Sequence, residues 1–144
     1  MSRLHSIVSR RVVRRGESGT ATAFVVGFAI VLLTCAGLVI DGGNALNARM
    51  KLADDVEQAA RAGAQEIDVV TLRTSDVVQL DARAAEGRAR AYLGGLGYTA
   101  MNATALGDTV TVGAQDQVAP KLLSLIGIPP FRISASATAQ AVTQ

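Results

Sequence analysis

Between Glu17 and Asp41 lies a run without a single charged side chain, residues 18–40, and no other feature limits the fold as strongly. Residues 20–40 (TATAFVVGFAIVLLTCAGLVI) are apolar apart from Thr20, Thr22 and Thr34. About 20 such residues in a helix cover the ~30 Å hydrocarbon layer of a bilayer. A soluble core helix of that length without one charge is rare, so a membrane span is the expectation.

The flanks orient the span. Arg3, Arg10, Arg11, Arg14 and Arg15 precede it against the single acid Glu17, and Asp41 follows it. Arginines concentrate on the cytoplasmic side of membrane helices and attract anionic lipid headgroups there. Arg10, Arg11, Arg14 and Arg15 therefore set the topology, with a cytoplasmic arm over residues 1–17, a transmembrane helix over 18–40 and an extracytoplasmic domain over 41–144. No aromatic or base-reading residues accompany the basic arm, which argues against nucleic acid as its partner.

A cleaved export signal is the competing reading. Such signals have a shorter apolar stretch ending in small residues, and here only Thr34-Cys35-Ala36 before Gly37 offers a weak cleavage site. Arg10-Arg11 also resembles a twin-arginine signal. A retained anchor is the main expectation, and an exported binding module released by signal cleavage is the alternative. Within the span, Gly19, Ala23 and Gly27 recur every four residues on one helix face. Small residues at that spacing let a second helix approach closely in lipid, which permits a homo-oligomer.

Composition removes most chemistry. Cys35 is the single cysteine and His5 the single histidine, so no internal disulfide or cysteine-based zinc site can form. Asp54, Asp55 and Glu57 read as a solvated helix face, with Lys51 placed to pair with Asp55 at i, i+4. Gly94-Gly95-x-Gly97 ends a helix, whereas anion binding needs the opening end. Ser134, Ser136 and Thr138 have no nearby base and read as strand surface. No catalytic residue, cofactor or metal site is expected, and the chain does not read as an enzyme.

Beyond the span, polar and small residues alternate with a helical period. Leu46, Ala53, Val56, Ala60, Gly63 and Ile67 form a stripe that faces either the core or a partner. Gly42-Gly43 are where this helix could kink or break; a near-continuous helix over residues 18–68 is the other outcome. Residues 41–68 would then form a helical stalk and 69–144 a head. Residues 69–80 read as a loop. Asp81 caps a further helix with Ala85, Ala89, Tyr92, Leu93 and Leu96 on its apolar face. The period then changes: residues 98–106 and 109–115 flank Gly107-Asp108, a hairpin turn. Residues 122–126 make a short apolar segment, and from Phe131 small apolar and polar residues alternate along a long strand. The sum is an α+β fold with two helices on one face of about three antiparallel strands. The strand edges could accept a neighbouring subunit's strand, or a loop could cover them.

The order of these features is specific. Arg15-Gly16, the uncharged span, Val39-Ile40-Asp41-Gly42-Gly43 and Leu52-x6-Ala59-Ala60-Arg61-Ala62-Gly63-Ala64 resemble the TadE/TadG family of Flp (tight adherence) pilus-assembly proteins. The likeness covers about residues 16–67, with a weaker one in residues 120–128 and the last strand. The resemblance implies a bacterial membrane protein, pseudopilin-like or a minor pilus component. It also implies partners among the major pilin, other pseudopilins and the inner-membrane platform. Prepilin-like members carry a glutamate early in the apolar stretch, where this chain has Thr22-Ala23-Phe24, so prepilin-peptidase cleavage is not expected.

Overall fold

A 47-residue helix, α1 (Glu17–Gly63), opens the computed structural model, which describes residues 17–142. His5, Arg10, Arg11, Arg14 and Arg15 lie outside the described residues. Then follow α2 (Val69–Ser75), α3 (Ala82–Gly95), strands β1 (Ala100–Leu106) and β2 (Thr109–Val118), a 3-10 turn (Leu123–Ile126) and β3 (Phe131–Gln140). The chain divides into two compact units, Met1–Ala36 and Gly37–Gln144.

In the first unit, residues 17–36 are all helix. From Gly19 to Ala36 the side chains stay uncovered: Phe24 is 74% exposed and Leu33 72%. Among the described residues, α1 is the one helix long and apolar enough to cross a membrane, with mean hydropathy 2.7 over its most apolar stretch. A core helix of a water-soluble protein would bury these side chains.

The second unit is α+β. Its sheet runs in the order β1-β2-β3, antiparallel throughout. Leu106 pairs with Thr109, so the hairpin loop is Gly107-Asp108 alone, and Gly107 has φ 64°, where a side chain would be strained. Val110, Val112 and Ala114 of β2 face inward with Ala103 and Ile133. Against them pack Leu52, Val56, Ala59 and Ala60 of α1, and Ala85, Ala89 and Leu93 of α3. The buried helix residues are mostly alanine, so the layers lie close. At Gly63 α1 and α3 come close: a Cβ there would stand 2.8 Å from the backbone oxygen of Ala85.

One open alternative is decided and three expectations change. The helix runs unbroken through Gly42-Gly43. Its turns on either side are held by packing, at Asp41 and at Leu52, which offsets the roughly 1 kcal/mol cost of each glycine. Residues 69–75 form a helix, α2, whose opening N–H groups, those of Val70 and Thr71, are accepted by the Asp68 side chain at 3.0 and 3.1 Å. On α3, Tyr92 and Leu96 are exposed while Ala85, Ala89 and Leu93 are buried. On α1, Val56 and Ala60 are fully buried and Gly63 is buried, but Leu46 and Ala53 are exposed, and Ile67, half-buried, lies beyond the helix end in a bridge to Leu80. Leu52 and Ala59 take their place in the core, because the sheet covers the helix face centred on Leu52, Val56 and Ala59 and leaves the flank bearing Leu46 and Ala53 open beside β3.

Candidate functional site

Asp41 is the one buried charged side chain among the described residues, 1% exposed. It sits on the same face of α1 as Gly37, four residues earlier, which is also buried. Its carboxylate accepts three backbone N–H groups from far along the chain. Oδ1 takes that of Lys121 at 2.8 Å, and Oδ2 takes those of Leu122 at 2.9 Å and Leu123 at 2.7 Å. These N–H groups open the 3-10 turn, whose first donors have no partner inside the turn, and a carboxylate satisfies them by charge-assisted bonds. Burial alone would raise the Asp41 carboxyl. The N–H groups of Leu123, Lys121 and Leu122, with the charge of Lys121, outweigh burial and hold it below its ordinary value. The expected boundary marker of the apolar run is thus a fixed tie between α1 and the segment before β3.

Asp55 also differs from a solvated side chain. It pairs with Lys51 at 2.6 Å, as the i, i+4 spacing foretells, and accepts the Tyr98 hydroxyl at 2.7 Å. The Lys51 ammonium lies 5.9 Å from the centre of the Tyr98 ring. The hydrogen bond from Lys51 depresses the Asp55 carboxyl, with Tyr98 adding to it against burial. The trio fastens the entry to β1 onto α1. Glu57 pairs with Arg61, and Asp54 is exposed. Among the described residues, no group of three histidine, cysteine, aspartate or glutamate side chains could hold a metal ion.

The two sheet edges are unlike. Along β1, Glu86 of α3 accepts the N–H of Ala105 at 3.2 Å and Arg90 donates to the carbonyl of Ala103 at 2.7 Å. The two side chains pair with each other at 3.1 Å, so this edge is closed to another strand. On β3, the N–H of Ala141 points to Asp108 of the β2 side. Antiparallel alternation then turns the N–H and C=O of Ser134, Ser136 and Thr138 outward. Among the described residues no hydrogen bond reaches them. Ser134, Ser136 and Thr138 are exposed strand surface, and Thr138 shares a hydroxyl bond with Thr111 at 2.9 Å.

Beside this open edge runs a groove whose other wall is α1. Leu46 and Arg49 line it opposite residues 131–134, and Ala53 lines it opposite residues 134–136. Neither Arg49 nor Arg132 has an ion-pair partner among the described residues. Leu46 and Ala53, expected on a stripe facing core or partner, therefore flank an unpaired strand edge. Gly19, Ala23 and Gly27 lie exposed along α1, and a Cβ on either glycine would touch nothing within 4 Å.

The sequence pattern pointed to Asp41 only as the end of an uncharged run. A lone acid directly after an apolar helix, followed much later by a helix-like turn without a cap of its own, was the available signal. Comparison with known proteins adds one finding. Residues 19–66 match a family model described as putative Flp pilus-assembly TadE/G-like. No curated protein and no solved structure matches the chain.

Proposed function

Starting from a chain that carries a TadE/G-like Flp pilus-assembly domain over residues 19–66, we propose that it is a membrane-anchored, pseudopilin-like or minor component of that assembly. The matched segment supports involvement in Flp pilus assembly, a structural task that needs no catalytic group. The anchor is residues 20–40, with the arginine-bearing end in the cytoplasm and residues 41–144 outside. The observation that carries the reading is the continuity of α1: one helix carries both the uncovered apolar segment and, at Leu52, Val56, Ala59 and Ala60, part of the core of the α+β unit.

Partner recognition falls to the β3 edge. Its outward backbone groups would pair with an extended segment of another pilus protein, as strand addition requires. Arg49 and Arg132 favour a segment with acidic residues, and Leu46 and Ala53 favour small apolar ones facing α1. In cells, the full-length protein should co-isolate with pilus subunits after mild detergent extraction. A clean deletion that leaves piliation unchanged would overturn the assembly role.

A sharper test is Ser136→Pro. Its N–H faces outward, so proline removes no bond to β2, and proline is tolerated on an edge strand. Co-isolation should be lost while the melting temperature stays within a few degrees; retained co-isolation removes the β3 edge as the contact. Gly27→Leu should weaken self-association if the face of Gly19, Ala23 and Gly27 joins two spans. An unchanged crosslinked dimer fraction would dismiss that contact. The alternative, a binding module released by cleavage near Gly37, predicts a shortened intact mass for the cellular protein.

A further inference from the structure

We propose that the 3-10 turn after β2 lies in the lipid interface, a second membrane contact that does not span. The proposal rests on the reading that residues 20–40 cross the membrane. Its starting point is where the turn packs. A Cβ on Gly37 would stand 3.4 Å from both Leu122 Cβ and Leu123 Cδ2. The turn thus sits directly on α1 inside the apolar run, about 6 Å before Asp41 along the helix axis.

Its outer side chains are apolar and bare. Leu123 is 4% exposed and points into the protein, whereas Leu125 is 82% exposed and Ile126 62%. At the same level α1 presents Leu38, Val39 and Ile40, each at least half exposed. The turn, seated on Gly37, brings its bare apolar side chains to the helix that carries the end of the span. That seating commits the turn to lipid. Single exposed leucines need no explanation, but exposed apolar side chains gathered at the end of a membrane span mark an interaction surface.

The backbone agrees. In an apolar interface every N–H group must find a partner within the protein. The N–H groups of Lys121, Leu122 and Leu123 go to Asp41. Those of Leu125, Gly127 and Ile128 go to carbonyls of the turn at 3.0–3.2 Å. Lys121, exposed at the start of the turn, can hold its ammonium among the headgroups while its stem lies along the apolar surface. The role of Asp41 follows: it satisfies the backbone of a segment that dips where water is scarce.

The chain contains no tryptophan, so single-tryptophan variants report local surroundings directly. Full-length L125W, L33W and L106W are reconstituted into phosphatidylcholine–phosphatidylglycerol vesicles, with and without brominated acyl chains. Leu106, 81% exposed at the β1–β2 hairpin, is the reference outside the membrane. The expected result is blue-shifted emission and loss of intensity with brominated lipid for both L33W and L125W, and neither for L106W. Quenched L33W with L125W behaving like L106W overturns the lipid contact and leaves the span standing. A blue-shifted but unquenched L125W also overturns it, because protein then covers the patch. If L33W itself is unquenched, the membrane reading falls with it.

Discussion

Asp41→Ala is expected to free the segment around residues 121–123 from α1 and to lower the melting temperature in detergent by roughly 5 °C or more. Three backbone N–H groups lose their acceptor at once, and unsatisfied buried donors cost far more than a surface bond. Asp41→Asn should be nearly as harmful. An amide keeps one accepting oxygen, while its own NH2 would face the N–H donors that the second carboxylate oxygen now accepts. The sign of the pH dependence follows from the depressed Asp41 carboxyl. The folded state favours the ionised form, so this stabilisation is present above the unfolded carboxyl value near 3.9. It is lost as pH falls through the lower folded value. Thermal melts followed by circular dichroism between pH 7 and pH 2 should show a steep acid limb in the parent protein. D41N should flatten that limb without abolishing it, because Asp55 and Asp68 are depressed in the same direction. Superimposable limbs would show that Asp41 is not held as an ion.

Two glycines of the same helix should respond to alanine with opposite signs. At Gly63 the new methyl meets the backbone oxygen of Ala85 at 2.8 Å, with Val110 Cγ1 at 3.4 Å behind it. Backbone cannot swing aside as a side chain does, so α1 and α3 must separate. Overpacking of this kind costs about 1–3 kcal/mol. At Gly43 a methyl meets nothing within 4 Å, and the position lies in mid-helix. There Gly→Ala should stabilise by about 0.5–1 kcal/mol, through helix propensity alone. Paired denaturant titrations of G63A and G43A in detergent decide it. Equal effects of the same sign would mean that α1 does not press on α3 at Gly63.

The elements that were legible share a physical basis. The β1–β2 hairpin is written in Gly107-Asp108 between alternating residues, β3 in its strict small-apolar and polar alternation, and α3 in the Asp81 cap. Each is a signal confined to one segment. The helix α2 is not legible in the sequence because Val69, Val70 and Thr71 are weak helix formers, and a single cap at Asp68 decides so short an element. The stripe from Leu46 to Gly63 on α1 has the period of its helix. Which part of its width is buried depended on where the sheet ends, and Leu46 and Ala53 fell beyond it.

An uncharged stretch long enough for a bilayer, the arginines before it and the motif order after it are local properties of the chain, and they suffice to predict an anchor, an α+β class and a family. Tertiary structure alone decided that Asp41 reaches residues 121–123, that Gly63 admits no methyl, and that Glu86 and Arg90 close one sheet edge while the other stays open. Each of those joins groups from distant segments, and side-chain periodicity records which face is apolar but not which distant backbone comes to meet it.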